Sequence, residues 1–319
     1  MTDNEKKCGK NVMRVAVFGG TGFVGEYLVD ALIDAGHEPQ LLVRPGSEAK
    51  ISSAEQCRLV TGSLSDSRAI SRTVNECSAV IYNVGILRES RRLGITFEST
   101  HYQGVVDVVD AAVKAGTDHF ILMSANGIRP PETPYQDTKC RAEEYLKQSG
   151  LNYTIFQPSV IFGDPRGKTE IATQLFQEMI RVPLPAVGFH TGLRPSSGAV
   201  MMSPVHVRDV ADAFVSALDN PAASQSTFTL GGPDEIAWSE MLRIIARSIG
   251  KSKLVLPMPI SVMYFVATFL DWMPFFPVTR DQLTMLAAGN TATDQSLRSL
   301  IGRDPTPFAP EALSYLTNQ

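Results

Sequence analysis

The chain is poor in cysteine. Its four, Cys8, Cys57, Cys77 and Cys140, are scattered without a CxxC pair, and 319 residues can build a core without covalent staples. Reduced thiols in a cytoplasmic setting are therefore expected. The five histidines show no ligand spacing, so no metal site is expected. Positive charge is not in excess either: 29 Lys and Arg face 33 Asp and Glu, and no basic stripe offers itself to a nucleic acid. No apolar run is long enough for a transmembrane span. Leu254–Leu270 carries no charge, but it falls short of the ~20 residues a spanning helix needs, and Pro257 and Pro259 interrupt its start. Residues 1–11 are polar and lack an apolar signal core, which reads as a disordered tail.

What is present begins with Val15–Gly25. An apolar run from Met13 to Phe18 reads as a buried strand. Gly19, Gly22 and Gly25 follow, and then an amphipathic helix that Gly36 ends. Each glycine has a physical role in a strand–turn–helix that holds a dinucleotide. The first permits the tight turn, the second lets backbone approach a pyrophosphate, and the third lets helix pack on strand. Thr21, Phe23 and Val24 belong to the same turn, whose N–H groups face the phosphates at a helix start.

Further on, strands alternate with helices. Glu38–Val43, Leu59-Val60, Ala79–Val84, His119–Ser124 and Asn152–Gln157 read as strands; Ser67–Asn75 and Phe97–Ala115 read as helices between them. This rhythm predicts an α/β fold, a doubly wound parallel sheet with a smaller, mostly helical C-terminal part. The expected division is a Rossmann domain over 12–165 and 204–232, with a substrate or docking part over 166–203 and 233–319. Ligands of such sheets lie at the carboxyl ends of the strands, where Gly22, Arg44, Gly85 and Ser124 all fall. Arg44, just past the second strand, favours a 2′-phosphate and hence NADP(H); stacking on adenine would be compatible with NAD(H). Ser63, Leu64 and Val84 follow other strand ends and join the expected cofactor set. Arg88, Arg91 and Arg92 in the next loop read as solvated, with an anion contact as the sharper alternative. Arg166 and Arg194 are weighed in the same way against an anionic substrate.

The chemistry is expected from Ser124, Tyr135 and Lys139. Tyr135 and Lys139 are four apart and share a helix face. A nearby ammonium would lower the phenol pKa from about 10. Tyr135 would move the proton, Lys139 would activate it and bind the nicotinamide ribose, and Ser124 would orient a carbonyl.

These residues, with Gly19-Gly-Thr-Gly-Phe-Val-Gly25, resemble the short-chain dehydrogenase/reductase superfamily. Phe156-Gln-Pro-Ser-Val-Ile-Phe-Gly163, with Pro158 and Val160, resembles its segment beside the nicotinamide. Pro204–Ala213 resembles a later motif of the extended and atypical branches, and the short Ser-to-Tyr interval fits the atypical one. Pro277–Leu283 with Gly289-Asn290 resembles the NADPH-binding accessory subunit of respiratory complex I and its bacterial relatives. Two positions depart from the pattern: Ser63 replaces an aspartate and Gln157 an arginine common in relatives.

The resemblance implies an oxidoreductase acting on a small-molecule carbonyl or hydroxyl. The alternative it implies is a nucleotide-holding accessory or assembly protein linked to complex I or quinone metabolism, since in that subfamily the nucleotide is structural. A nucleotide-sugar epimerase or dehydratase shares the fold. The apolar residues of 254–277 are expected to close the core, or to meet a membrane periphery, a lipophilic substrate or a respiratory partner.

Overall fold

The computed structural model describes residues 12–128, 133–192, 198–270, 280–292 and 296–318. The expected tail, Arg194 and the segment 271–277 lie outside them.

The first half runs β1 (Arg14–Phe18), α1 (Phe23–Asp34), β2 (Glu38–Val43), β3 (Arg58–Thr61), α2 (Ser67–Val74), β4 (Ala79–Tyr82), α3 (Gly104–Ala115), β5 (His119–Met123), α4 (Pro134–Gln148) and β6 (Asn152–Pro158). It continues with β7 (Ile161–Phe162), α5 (Ile171–Leu175), β8 (Ala186–His190), β9 (Met201–Met202), β10 (Val205–His206), α6 (Val207–Asp219) and β11 (Ser226–Leu230). The chain closes with β12 (Ile236–Ala237), α7 (Trp238–Ser248), β13 (Val255–Pro259), α8 (Ile260–Leu270), α9 (Arg280–Ala287) and α10 (Ser296–Ile301).

Seven strands form one parallel sheet in the order β11-β6-β5-β4-β1-β2-β3. The central strands are continuous apolar runs because helices cover both faces: every residue of β4 is buried, and so are Val15 to Phe18 of β1. β3, at one edge, exposes Arg58 and Thr61. Local chemistry fixes the helix ends. Asp66 caps α2 by accepting from the N–H groups of Arg68 and Ala69. Thr133 caps α4, with Pro134 in its first turn. Gly116 ends α3 in the left-handed region at φ 70°. The order in which strands are added reverses between β1 and β4, which opens the crevice where such folds take their ligand.

Two expected elements differ. The helix expected from Phe97 opens with a π-helical turn, Glu98–Gln103, before α3 begins. The Thr100 carbonyl accepts the buried Tyr82 hydroxyl at 2.6 Å, and Gly104 carries no side chain where that hydroxyl sits. The helix after Thr169 likewise widens into a π-helical turn at Phe176–Ile180. The uncharged run Leu254–Leu270, too short to be a spanning helix, starts as strand β13 and pairs in parallel with β8 before α8 begins. Two prolines in five residues deny a helix its hydrogen bonds but suit a two-stranded pair.

A second apolar core gathers Phe162, Phe176, Phe189, Trp238, Met241 and Phe308 with their neighbours, apart from the sheet. Leu297 and Leu300 of α10 return to the sheet side, packing with α6.

Candidate functional site: a dinucleotide crevice with a tyrosine–lysine pair

The glycine turn has the geometry its spacing implies. Gly19 sits at φ +95°, and a Cβ there would lie 2.6 Å from the Asn83 carbonyl oxygen. A Cβ on Gly25 would strike the backbone of Gly19 and Gly20. Gly22 is different: only the Gly19 carbonyl stands within 4 Å of a Cβ there, so its outer face is open. Gly22 also caps α1 without a side-chain hydrogen bond, leaving the first N–H groups of the helix to an anion. Thr21 and Phe23 are half-buried at this turn and Val24 is buried beneath it. Asn83, buried at the end of β4 beside Gly19, has no hydrogen-bond partner for its Oδ1.

Arg44 lies one residue past β2, exposed, and makes no ion pair among the described residues. Ser63 hydrogen-bonds Ser65 at 2.8 Å, and Leu64 is half-buried beside it. Val84 and Gly85 follow β4, and a Cβ on Gly85 would lie 4.0 Å from both the Lys139 Nζ and the His101 Nε2. Pro158 ends β6, and Val160 accepts from the Val205 N–H at 2.9 Å. The fold thus brings the expected residues to one rim of the sheet, with the Ser63–Leu64 turn toward the β3 edge.

Tyr135 and Lys139 stand one turn apart on α4, with the Lys139 Nζ 6.0 Å from the phenol ring centre. Lys139 is buried and donates to the Met123 carbonyl at 3.0 Å. Burial lowers its pKa to about 8, against the opposing pull of Glu143. The Tyr135 ring meets Phe97 and His101 edge-on, at centroid distances of 5.6 and 5.1 Å. Here the expectation from sequence reverses. Burial raises the Tyr135 pKa to about 12, so desolvation outweighs the neighbouring ammonium and the phenol stays protonated.

Ser124 is also engaged differently than expected. Its hydroxyl donates to the buried Glu143 carboxylate, which also accepts from the Gln157 amide at 2.9 and 3.1 Å. Ser124 has one proton to give, and Glu143 takes it. Gln157 is thereby a partner of that carboxylate.

His101 was not among the expected site residues. Its Nε2 accepts from the Ile86 N–H at 3.0 Å, which puts the ring proton on Nδ1, a buried atom without a partner. Burial and, secondarily, Lys139 lower its pKa to about 2, so the ring is neutral. With Tyr82, Val84, Ser124 and Lys139 it lines a small pocket beneath the strand ends. The available signal was helical spacing: Phe97, His101 and Val105 fall four apart on the face that packs inward.

Arg166 turns away from the site. It stacks on the Tyr27 ring at 3.9 Å and pairs with Asp30 at 2.6 Å, while Lys168 pairs with the buried Glu26. Arg91 pairs with Glu89 at 3.1 Å, and His206 caps α6. The large groove between α1, α6 and α10 is crossed by the Asp30–Arg166 and Asp212–Arg303 pairs and holds no glycine-turn or α4 residue.

Fold and crevice together define a nicotinamide-nucleotide-binding protein of the doubly wound class. The chain matches the model of an NAD(P)H-binding family over residues 19–181, more than half its length, and belongs to that family. It is 25% identical to the photosystem II assembly factor Ycf39 of Synechocystis, over 88% of this chain and 82% of that one. It is 28% identical to a ceramide reductase of Caulobacter vibrioides (77% and 73%) and 25% identical to subunit 9 of the NADH dehydrogenase [ubiquinone] 1 alpha subcomplex of Mus musculus (94% and 78%). A UDP-glucose 4-epimerase of Thermus thermophilus, solved with NAD, shares the fold at TM-score 0.71 and 20% identity over 96% of this chain and 98% of that one. These matches, a reductase and an NADH dehydrogenase subunit among them, are consistent with an atypical short-chain dehydrogenase/reductase.

Proposed function

We propose that the chain is an NADP(H)-dependent reductase of a small carbonyl compound. The observation that carries this reading is Tyr135 one turn from Lys139 on α4, with the Lys139 ammonium held on the Met123 carbonyl at the end of β5 and close to Gly85 after β4. A phenol held as the acid suits the reductive direction, in which a carbonyl oxygen gaining charge needs a proton. The nucleotide, when bound, supplies the hydride. Tyr135 gives the proton to the carbonyl oxygen. Lys139 holds the nicotinamide ribose hydroxyls, and its positive charge favours the phenolate that remains. Absorbance loss at 340 nm with NADPH and a panel of aldehydes, ketones and quinones tests the proposal.

A second reading has its own observation. The Ser124 proton is committed to Glu143, so this hydroxyl is not free to hold a carbonyl. An accessory or assembly role with a resident nucleotide fits that arrangement, and the names of two relatives point the same way. Tightly held nucleotide with no turnover across the panel would select this reading.

Arg44 is assigned to the 2′-phosphate. A charge-assisted contact of about 1–3 kcal/mol corresponds to about 5- to 150-fold in affinity, with exposure favouring the lower end. Arg44→Ala should weaken NADPH by that factor and leave NADH unchanged in a titration by nucleotide fluorescence. Equal affinities for the two nucleotides in both proteins would remove the assignment.

The Lys139 ammonium is lost as pH rises through about 8. In the pH dependence of kcat/KM, activity should fall above that value while Tyr135 remains protonated. The fall is not unfolding at Lys139. Between pH 8 and its ordinary 10.5 the unfolded lysine holds more protons than the folded one, so this group favours the folded state increasingly as pH rises. A flat profile from pH 7 to 10 would exclude the lysine from the mechanism.

A further inference from the structure

We propose that the β8–β13 face is a docking surface for an anionic lipid bilayer. The pairing of these strands brings two sequence segments together. The Leu254 carbonyl accepts from the Ala186 N–H, and the Lys253 ammonium donates to the carbonyls of Ile180 and Val182. Around this seam stand exposed aliphatic side chains: Leu184 is 67% exposed and Leu254 64%, with Val182, Leu256 and Val262 beside them in the two segments. Leu254 and Leu256 are two apart in an extended segment and share a face. The exposed residues are grouped, rather than scattered singly over the surface, which is the pattern that signals a contact.

Charge selects the partner. Residues 178–192 and 249–270 contain Arg181, Lys251 and Lys253 against a single acid, the exposed Glu178 at the start of the first segment, in a chain whose net charge is −4. The neighbouring acid on α7, Glu240, is taken by Arg243 and Arg247. An apolar patch with a local excess of positive charge in an otherwise acidic protein is complementary to an anionic, apolar phase. Insertion of aliphatic side chains combined with basic residues is the two-signal arrangement that holds proteins at such a surface.

The same residues fit a protein partner poorly. Leucine and valine are under-represented among the residues that dominate protein interfaces, and lysine is depleted there. Addition of a partner strand is also disfavoured, because Pro257 and Pro259 remove two of the five N–H donors of β13. Among the described residues no helix is long and apolar enough to cross a membrane, so the contact is peripheral.

The test is co-sedimentation of the full chain with vesicles of phosphatidylcholine containing phosphatidylglycerol, against pure phosphatidylcholine, at low and high salt. Binding is expected to the anionic vesicles and to weaken with salt. Leu184→Ser with Leu254→Ser should lower partitioning roughly tenfold or more, since both side chains lose their insertable surface. Because both residues are exposed, thermal melting should not change. Lys251→Glu should cost about fivefold or more, the worth of one lysine near such a surface. A protein that stays in the supernatant with anionic vesicles, or equal partitioning of wild type and variants, overturns the proposal. So does a concentration-dependent dimer abolished by the same leucine changes, because a second copy would then be the occupant. Vesicle binding is read without substrate, so its failure leaves the reductase reading untouched.

Discussion

Tyr135→Phe is expected to keep nucleotide binding and lose ~10²–10⁴-fold in turnover, the usual contribution of a positioned acid. The ring's place would survive, because its contacts with Phe97 and His101 are made by ring edges and faces rather than by the hydroxyl. Removing that hydroxyl therefore removes the proton donor alone. Nucleotide affinity by fluorescence titration and kcat for a substrate found in the carbonyl panel separate the two. Full activity in the phenylalanine variant would show that another group carries the proton. His101 is a poor substitute, since a ring held neutral down to about pH 2 has no spare proton to cycle near neutrality.

Gly25→Ala should disable the crevice at its other end. The added Cβ would meet backbone atoms of Gly19 and Gly20, which cannot rotate aside as a side chain can. Helix α1 must then move off the turn, and with it the N–H groups left open at its start. Overpacking of this kind costs about 1–3 kcal/mol. Expressed at the nucleotide, that is about 5- to 150-fold in affinity, accompanied by a lower melting temperature. Gly22→Ala provides the contrast: its neighbourhood is open, so the protein should melt normally while the nucleotide loses close approach. If Gly25→Ala binds nucleotide as tightly as wild type, the turn is not the phosphate seat.

The sheet was legible because its signals are local. Runs such as Val15 to Phe18 and Ala79 to Tyr82 are buried on both faces and are apolar throughout. Asp66, Thr133 and Gly116 mark helix ends by chemistry confined to one turn. The glycine turn and the Tyr135–Lys139 spacing are equally short-range. What escaped depends on neighbours distant in sequence. The hold of Glu143 on Ser124 spans 19 positions, and Arg166 lies against Asp30 from 136 positions away. Neither is visible in spacing. β13 cannot be told from helix in the sequence because its partner strand lies some 70 residues earlier, and apolar composition alone cannot choose between the two. The direction of the Tyr135 shift was missed for a related reason. The lysine at i+4 can be read from sequence; the apolar surroundings that outweigh it come from Phe97 and other distant residues.

The wide turn at Glu98–Gln103 divides one continuous helix into two rotational frames. Below it, α3 is locked to the sheet through Val105, Val108 and Val109. Phe97 just before it and His101 within it face Tyr135. Each residue of a regular helix advances by about 100°. Removing one residue from this turn would leave α3 seated and swing Phe97 and His101 around the axis, away from the phenol and from the Ile86 N–H. The chain can thus retune the wall of its crevice by changing length at a single turn, with every residue of the underlying core left in place.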